Sequence, residues 1–181
     1  MKPHRCRLFS RTRSIAACAP ALAIALVGCG GGGANPDAAP HDANFAVCAR
    51  YDAGPYAAGA MMVSASGAYR ATLVAVEAAT KPPVATLAVG LNTFTVTVRD
   101  ANGGVPTGLT MTSEKPYMPE HSHGASTYPA VADQGDGTFV VSAINFFMPG
   151  YWELTLNLLP PATGDGGAPA DEVVLPLCVP S

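Results

Sequence analysis

The sequence predicts an all-β protein, an antiparallel immunoglobulin-like β-sandwich of about seven or eight strands. Short segments in which apolar and polar residues alternate recur along the chain, and turn residues separate them. The periodicity of an amphipathic helix does not occur after residue 28. Two cysteines, Cys48 and Cys178, bracket the region that holds the strands. Strands at this spacing with a terminal cysteine pair are typical of a sandwich.

The clearest strand is the segment NTFTVTVRD, Asn92 to Asp100. Phe94, Val96 and Val98 would share one face of it and the threonines between them the other, which is the period-2 pattern of a half-buried strand. Similar but weaker patterns predict further strands at Ala60–Ala65, Tyr69–Ala78, Val84–Gly90, Leu109–Ser113, Thr138–Phe147, Tyr151–Leu159 and Glu172–Val179.

Glycine-containing turns separate the predicted strands. Asn102-Gly103 and the segment DQGDG, Asp133 to Gly137, are turn sequences, and Met148 to Gly150 reads as the tip of a hairpin. We expect Trp152, just after that tip, to pack in the core.

The first 28 residues predict a lipoprotein signal peptide. Five basic residues precede an almost uncharged run from Ile15 to Val27, and this run is shorter than the roughly 18 to 20 apolar residues that span a bilayer. It ends in LVGC, Leu26 to Cys29, which resembles the bacterial lipobox, so Cys29 is expected to be acylated and to become the N-terminus. The alternative is a plain secreted protein. Gly30 after the cysteine favours the outer over the inner membrane.

The mature chain divides into a tether and one domain. Residues 29–44 contain mainly Gly, Ala, Pro and Asp, which cannot bury enough apolar surface to order, and His41 within them is expected to be solvated. Residues 45–181 form the predicted β-sandwich domain.

The charge and cysteine content narrow the function classes. Five of the ten Lys and Arg residues leave with the signal peptide while all thirteen acidic residues remain, so the mature chain has a net charge of −8. An acidic chain without basic clusters is not expected to bind nucleic acid. Cys6 and Cys18 leave with the signal peptide and Cys29 is acylated, so Cys48 and Cys178 remain of the five cysteines. We predict a disulfide between these two in an oxidising compartment. Metal binding by the two thiolates is the alternative, and the pair lacks a CxxC spacing.

The segment YMPEHSHG, Tyr117 to Gly124, is the candidate metal site. In an extended segment the side chains of His121 and His123 would point the same way and could converge on one ion. Imidazole binds copper, zinc and nickel, and a thioether adds affinity for Cu(I), so the methionines Met118 and Met148 favour copper. The alternative is a polar loop with two solvated histidines.

The segment from Gly90 to Leu158 resembles the YtkA-like domain of bacterial exported proteins, whose architecture is similar to FixH-type and copper-resistance β-sandwiches. MPEHSHG matches the family pattern Met-Pro-x-(Met or His)-x-His-Gly, and FFMPGYWELTLNL matches its Met-x-Gly-x-Trp-x-Leu ending. The resemblance implies copper binding through Met118, His121, His123 and Met148. The family often has Met where this chain has His121, which would shift the preference from Cu(I) toward Cu(II).

Catalytic motifs are not found: the chain has no GxSxG and no HExxH, so we do not expect an enzyme. The sequence therefore predicts a protein that is held at a membrane by its lipid and that handles copper, or another soft or borderline metal ion, for storage, delivery or scavenging. Another envelope protein would be its partner. The alternative hypothesis is a structural or protein-interaction module without a metal site.

Overall fold

The computed structural model describes residues 47–54, 56–161 and 169–181. The predicted signal peptide, the predicted tether and the predicted acylation site at Cys29 lie outside these residues. Within them the chain forms an antiparallel β-sandwich, as predicted. No helix in the described part of the chain is long and apolar enough to cross a membrane.

Ten strands make up two sheets, and every strand pair is antiparallel. In chain order they are β1 Ala60–Val63, β2 Tyr69–Ala78, β3 Gly90–Asp100, β4 Thr110–Ser113, β5 Tyr117–Met118, β6 His123–Gly124, β7 Ala130–Asp133, β8 Thr138–Phe146, β9 Gly150–Leu159 and β10 Asp171–Val179. The first sheet has the order β1-β2-β3-β8-β7, and the second has the order β10-β9-β5-β6, with β4 also paired to β9. Residues 47–50 are helical, and Pro119–His121 form a 3₁₀ turn.

The strand count differs from the predicted seven or eight at two places. Of the predicted strand Val84–Gly90, Gly90 is the first residue of β3, and the segment 84–89 forms a single bridge, between Ala78 and Val84. It curls because the buried Asn92 side chain hydrogen-bonds the backbone N–H and carbonyl of Ala88 at 3.2 and 2.8 Å. The sequence did not predict β5, β6 and β7. β5 and β6 have two residues each, too few for an alternating pattern, and β7 is almost entirely exposed, so its residues do not alternate.

The core lies between the inner faces of the two sheets. Phe94, Val96 and Val98 on β3 are fully buried, as their alternation predicts, and so is Trp152 on β9. The indole N–H of Trp152 donates to the carbonyl of Met148 at 3.1 Å, so the one polar atom of this side chain is satisfied. Burial of a large aromatic side chain with its N–H bonded is strongly stabilising.

The connection between β8 and β9 crosses from one sheet to the other, so the prediction of a hairpin at Met148–Gly150 was wrong. β8 pairs with β3 and β7, whereas β9 pairs with β10 and β4. A Pro-Gly sequence favours a tight turn of the backbone, but it does not indicate which of the two sheets contains the next strand. The crossing places Phe147 and Met148 at one end of the sandwich, the end that carries the histidine segment.

A disulfide joins Cys48 to Cys178, with their Cα atoms 5.6 Å apart, which confirms the predicted pair. It ties the helical residues 47–50, which precede the first strand, to β10. Both cysteines are buried. A structural disulfide of this kind indicates a protein of an extracytoplasmic compartment.

Removing the disulfide with the double substitution Cys48→Ser and Cys178→Ser is expected to lower the free energy of unfolding by about 4 to 5 kcal/mol. The bridge spans 130 residues, and a loop of this length strongly restricts the unfolded chain. Urea denaturation followed by circular dichroism measures the change. Reduction of the unsubstituted protein should reproduce it, and an unchanged midpoint in both experiments would contradict the prediction.

Candidate metal centre

The histidine segment forms a small hairpin at the edge of the second sheet. Tyr117 pairs with Gly124 and Met118 with His123, and Tyr117 also pairs with Glu153 on β9. The hairpin is therefore attached to the sheet through β5, and β6 is the last strand in the order β10-β9-β5-β6.

The backbone between the two histidines is not extended, so that part of the prediction was wrong. Met118 before the proline is extended, with φ −108° and ψ 103°, as Pro119 requires. Residues Pro119–His121 then form the 3₁₀ turn, and Ser122 takes the left-handed conformation with φ 54° and ψ 34°. The N–H of Ser122 donates to the carbonyl of Pro119 at 3.3 Å, which closes the turn.

The two imidazole rings nevertheless lie side by side. The ring centroids of His121 and His123 are 5.4 Å apart with an interplanar angle of 27°, and both residues are exposed. Ligating nitrogens sit about 2.0 to 2.1 Å from copper or zinc, so two rings on one ion have centroids within roughly 6 Å of each other. The observed separation falls in this span. Because the rings face each other, they must turn about their side-chain bonds for their nitrogens to converge.

Aromatic contacts connect this pair to the core. The ring of Phe147 lies 5.3 Å from that of His123 and 5.1 Å from that of Trp152. Trp152 in turn contacts Phe146 at 5.4 Å. One side of the histidine pair is therefore backed by a packed aromatic group that begins in the core.

The two candidate methionine ligands occupy different environments. Met118 lies opposite His123 in the strand pair, but its side chain is only 1% exposed and belongs to the core. A β-carbon placed on Gly150 would come within 3.0 Å of the Met118 methyl group, so the glycine makes room for this side chain. Met148 is partly buried and packs against the core from the crossing connection. The structure thus puts both residues at the histidine end of the sandwich and directs the Met118 side chain into the core.

Glu120, between Pro119 and His121, contacts the segment that the disulfide holds. Its Oε1 accepts a hydrogen bond from the Tyr51 hydroxyl at 2.8 Å and lies 3.9 Å from the Arg50 guanidinium. The hydrogen bond to Glu120 and, secondarily, burial raise the pKa of Tyr51. Glu120 therefore fixes the 3₁₀ turn in place.

The two tyrosines at this contact stack on each other. The rings of Tyr51 and Tyr151 lie 4.1 Å apart and are nearly parallel at 4°. Tyr151 donates to Glu153 at 2.9 Å, and burial, followed by this hydrogen bond, raises the pKa of Tyr151 well above its ordinary value. Both phenols therefore remain protonated donors at neutral pH. Tyr51 and Glu120 are 69 residues apart in the sequence, so local patterns do not predict their contact. The predicted Cys48–Cys178 disulfide is the one sequence signal that places the residues around Cys48 against a strand.

In the ranges that the structure describes, three or more His, Cys, Asp or Glu side chains do not come together as a metal-binding cluster. The candidate donor set is the pair of imidazoles, with Met118 opposite His123 in the strand pair and Met148 next in the chain to Phe147, which contacts His123. Two imidazoles and a thioether are donors that copper accepts, so the residues present fit the ion that the sequence suggested.

Comparisons of the chain with protein-family models, with curated proteins and with solved structures found no match. The resemblance of residues 90–158 to the YtkA-like domain stays a prediction from the residues.

Substitution of Gly124 by Ala is expected to disrupt the histidine hairpin. A β-carbon there would lie 2.6 Å from the carbonyl oxygen of Pro116, which accepts the Ala125 N–H at 2.8 Å. Backbone atoms must shift to relieve this contact, at a cost of about 1 to 3 kcal/mol. Urea denaturation measures the loss, and NMR chemical shifts of the His123 ring report the displacement.

Gly54→Ala provides the matched control, because a β-carbon at Gly54 has no atom within 4 Å. Equal stability losses for the two variants would show that the close approach at Gly124 does not constrain the hairpin.

Proposed function

We propose that this protein is a lipid-anchored, exported copper-binding protein that handles the ion without catalysing a reaction. The observation that carries the proposal is the exposed pair of imidazoles, 5.4 Å apart on a hairpin whose backbone is paired to the sheet. Pairing to the sheet and the Glu120–Tyr51 hydrogen bond hold the hairpin before any ion arrives. A held pair loses less conformational entropy on binding than two histidines on a free loop.

The ligand set follows from side-chain burial. His121 and His123 are the primary ligands because both rings face solvent. Met118 would have to leave the core to bind, so Met148, partly exposed in the crossing connection, is the better thioether donor. A set dominated by imidazole shifts the preference toward Cu(II), and recruitment of Met148 would favour Cu(I).

The location of the protein follows from its two kinds of cysteine. The Cys48–Cys178 disulfide supports an oxidising compartment. An acylated Cys29 would hold the domain at a membrane, since each buried methylene contributes about 0.8 kcal/mol. The residue after it, Gly30, favours the outer membrane over the inner one. A protein at the outer membrane could store, deliver or scavenge copper for another protein of the cell envelope.

One observation favours a second candidate function, a protein-interaction module without metal. Phe147 and Tyr117, near the histidine pair, have 47% and 43% of their surface exposed. Exposed aromatic side chains occur often in protein interfaces. A measurement of metal binding distinguishes the two candidate functions, because the interaction module would bind no metal.

Copper binding is testable through Trp152, the single tryptophan of the chain. Phe147 contacts both Trp152 and His123. An ion bound to the histidines would therefore be separated from the indole by the His123 and Phe147 rings, close enough to affect its fluorescence. We expect Cu(II) to quench the fluorescence of the purified exported protein in a saturable way, and Zn(II), which has a filled d shell, to bind with little quenching. Cu(I) is titrated separately against a competing chelator.

The double variant His121→Ala, His123→Ala should lose this saturable quenching, with at least a tenfold drop in affinity for the ion. His41→Ala, which removes the histidine of the predicted tether, is the matched control and should bind as the unsubstituted protein does. Equal uptake by the double variant and the unsubstituted protein, or no uptake by either, would refute the proposal and favour the interaction module.

The lipid anchor is tested by the substitution Cys29→Ser. Labelling of cells with palmitate should mark the unsubstituted protein but not this variant, and the variant should move from the membrane pellet to the soluble fraction. Cys18→Ser, within the signal peptide, serves as the control and should leave labelling unchanged. Persistent labelling of Cys29→Ser would contradict the anchor, and density-gradient separation of the membranes identifies the one that carries the protein.

A further inference from the structure

We propose that the His121–His123 pair is one half of a metal site, and that one ion joins two copies of this chain through their histidine hairpins. The inference rests on the metal binding proposed above and adds the partner and the stoichiometry. Each copy would supply two imidazoles, giving a four-nitrogen site.

The number of donors is the first reason. Copper(II) and zinc commonly take four protein donors when a site is closed to solvent. His121 and His123 supply two of them, and Met148, which is partly exposed, adds at most one thioether, so one chain supplies fewer than four donors. Two further donor-bearing groups of the hairpin are engaged. Glu120 accepts the Tyr51 hydroxyl and faces Arg50. The Met118 thioether is buried in the core.

The position of the hairpin is the second reason. β6, which carries His123, is the last strand of its sheet, so a second molecule can approach from that side. The residues of the 3₁₀ turn that ends at His121 are all outside the core. An ion held by these two rings would therefore sit at the outer edge of the molecule, where a second hairpin can reach it.

The surface around the pair is the third reason. Phe147 lies against His123 and leaves 47% of its surface exposed. In a two-fold dimer the same patch of both copies forms the interface. An aromatic side chain close to the two-fold axis therefore packs against the same residue of the second copy. A patch with paired ligands at its centre and an apolar ring at its side is complementary to a second copy of itself.

The test measures mass and stoichiometry together. The purified exported protein, in a density-matched detergent, is titrated with Zn(II) or Cu(II) and followed by sedimentation velocity, while the ion content is measured after removal of free ion. We expect a monomer without added ion, a dimer at saturation with half an ion per chain, and a return to monomer on addition of EDTA.

The possible failures are distinguishable. Saturation at one ion per chain with the mass of a monomer would overturn the dimer and leave the proposed copper binding intact. The absence of any ion uptake would overturn both proposals. Dimers that form equally well without an ion would show that the hairpins are not joined by metal and would overturn the inference.

Two variants address the interface. Phe147→Ala should raise the dissociation constant of the metal-loaded dimer about tenfold, the effect expected for an aromatic side chain that an interface covers beside its central ligands. Tyr128→Ala is the matched control, because this exposed aromatic residue lies against Lys115 and should leave the dissociation constant unchanged. Equal effects of the two variants would exclude the Phe147 patch from the contact and overturn the proposed arrangement.

Discussion

Packing around Trp152 is the constraint on which the rest of this structure depends. Its ring is fully buried and contacts both Phe146, at the end of β8, and Phe147, in the connection that crosses to β9. Its N–H holds the carbonyl of Met148 in the same connection. The residue therefore fixes the path of the chain between the two sheets. Because Phe147 also contacts His123, the same packing positions one wall of the candidate metal centre.

The fold was largely predictable because its strands are long and half-buried. The bounds of β2, Tyr69–Ala78, agree with the predicted ones, and β3 begins two residues before the predicted Asn92. The candidate site was predictable only as a set of residues. A two-residue strand carries no period, so the sequence indicated an extended segment where the structure has a 3₁₀ turn and a left-handed Ser122. The ligand role of Met118 was inferred from the chemistry of its thioether and from the family resemblance, and neither reveals that the side chain is buried.

The disulfide and the histidine hairpin are connected by a short series of contacts. Cys48 precedes Arg50 and Tyr51 in the chain, and these two residues contact Glu120 on the 3₁₀ turn. The ion pair is exposed and contributes little by itself. The stacked tyrosine rings, which bring Tyr51 against the sheet through Tyr151, give the contact a fixed geometry. The function of the disulfide thus extends beyond stability to the position of the candidate ligands.

The location of the histidine pair at a sheet edge has a consequence for how an ion would be exchanged. In small zinc domains the metal forms the core, so the apo-protein unfolds. Here the core around Trp152 and the disulfide are complete without His121 or His123, both of which are exposed. Folding and the proposed metal binding would therefore be separate equilibria, and loss of an ion would leave the hairpin in place for the next one. A protein that must give up its ion to a partner needs this separation, because release then carries no cost in folding.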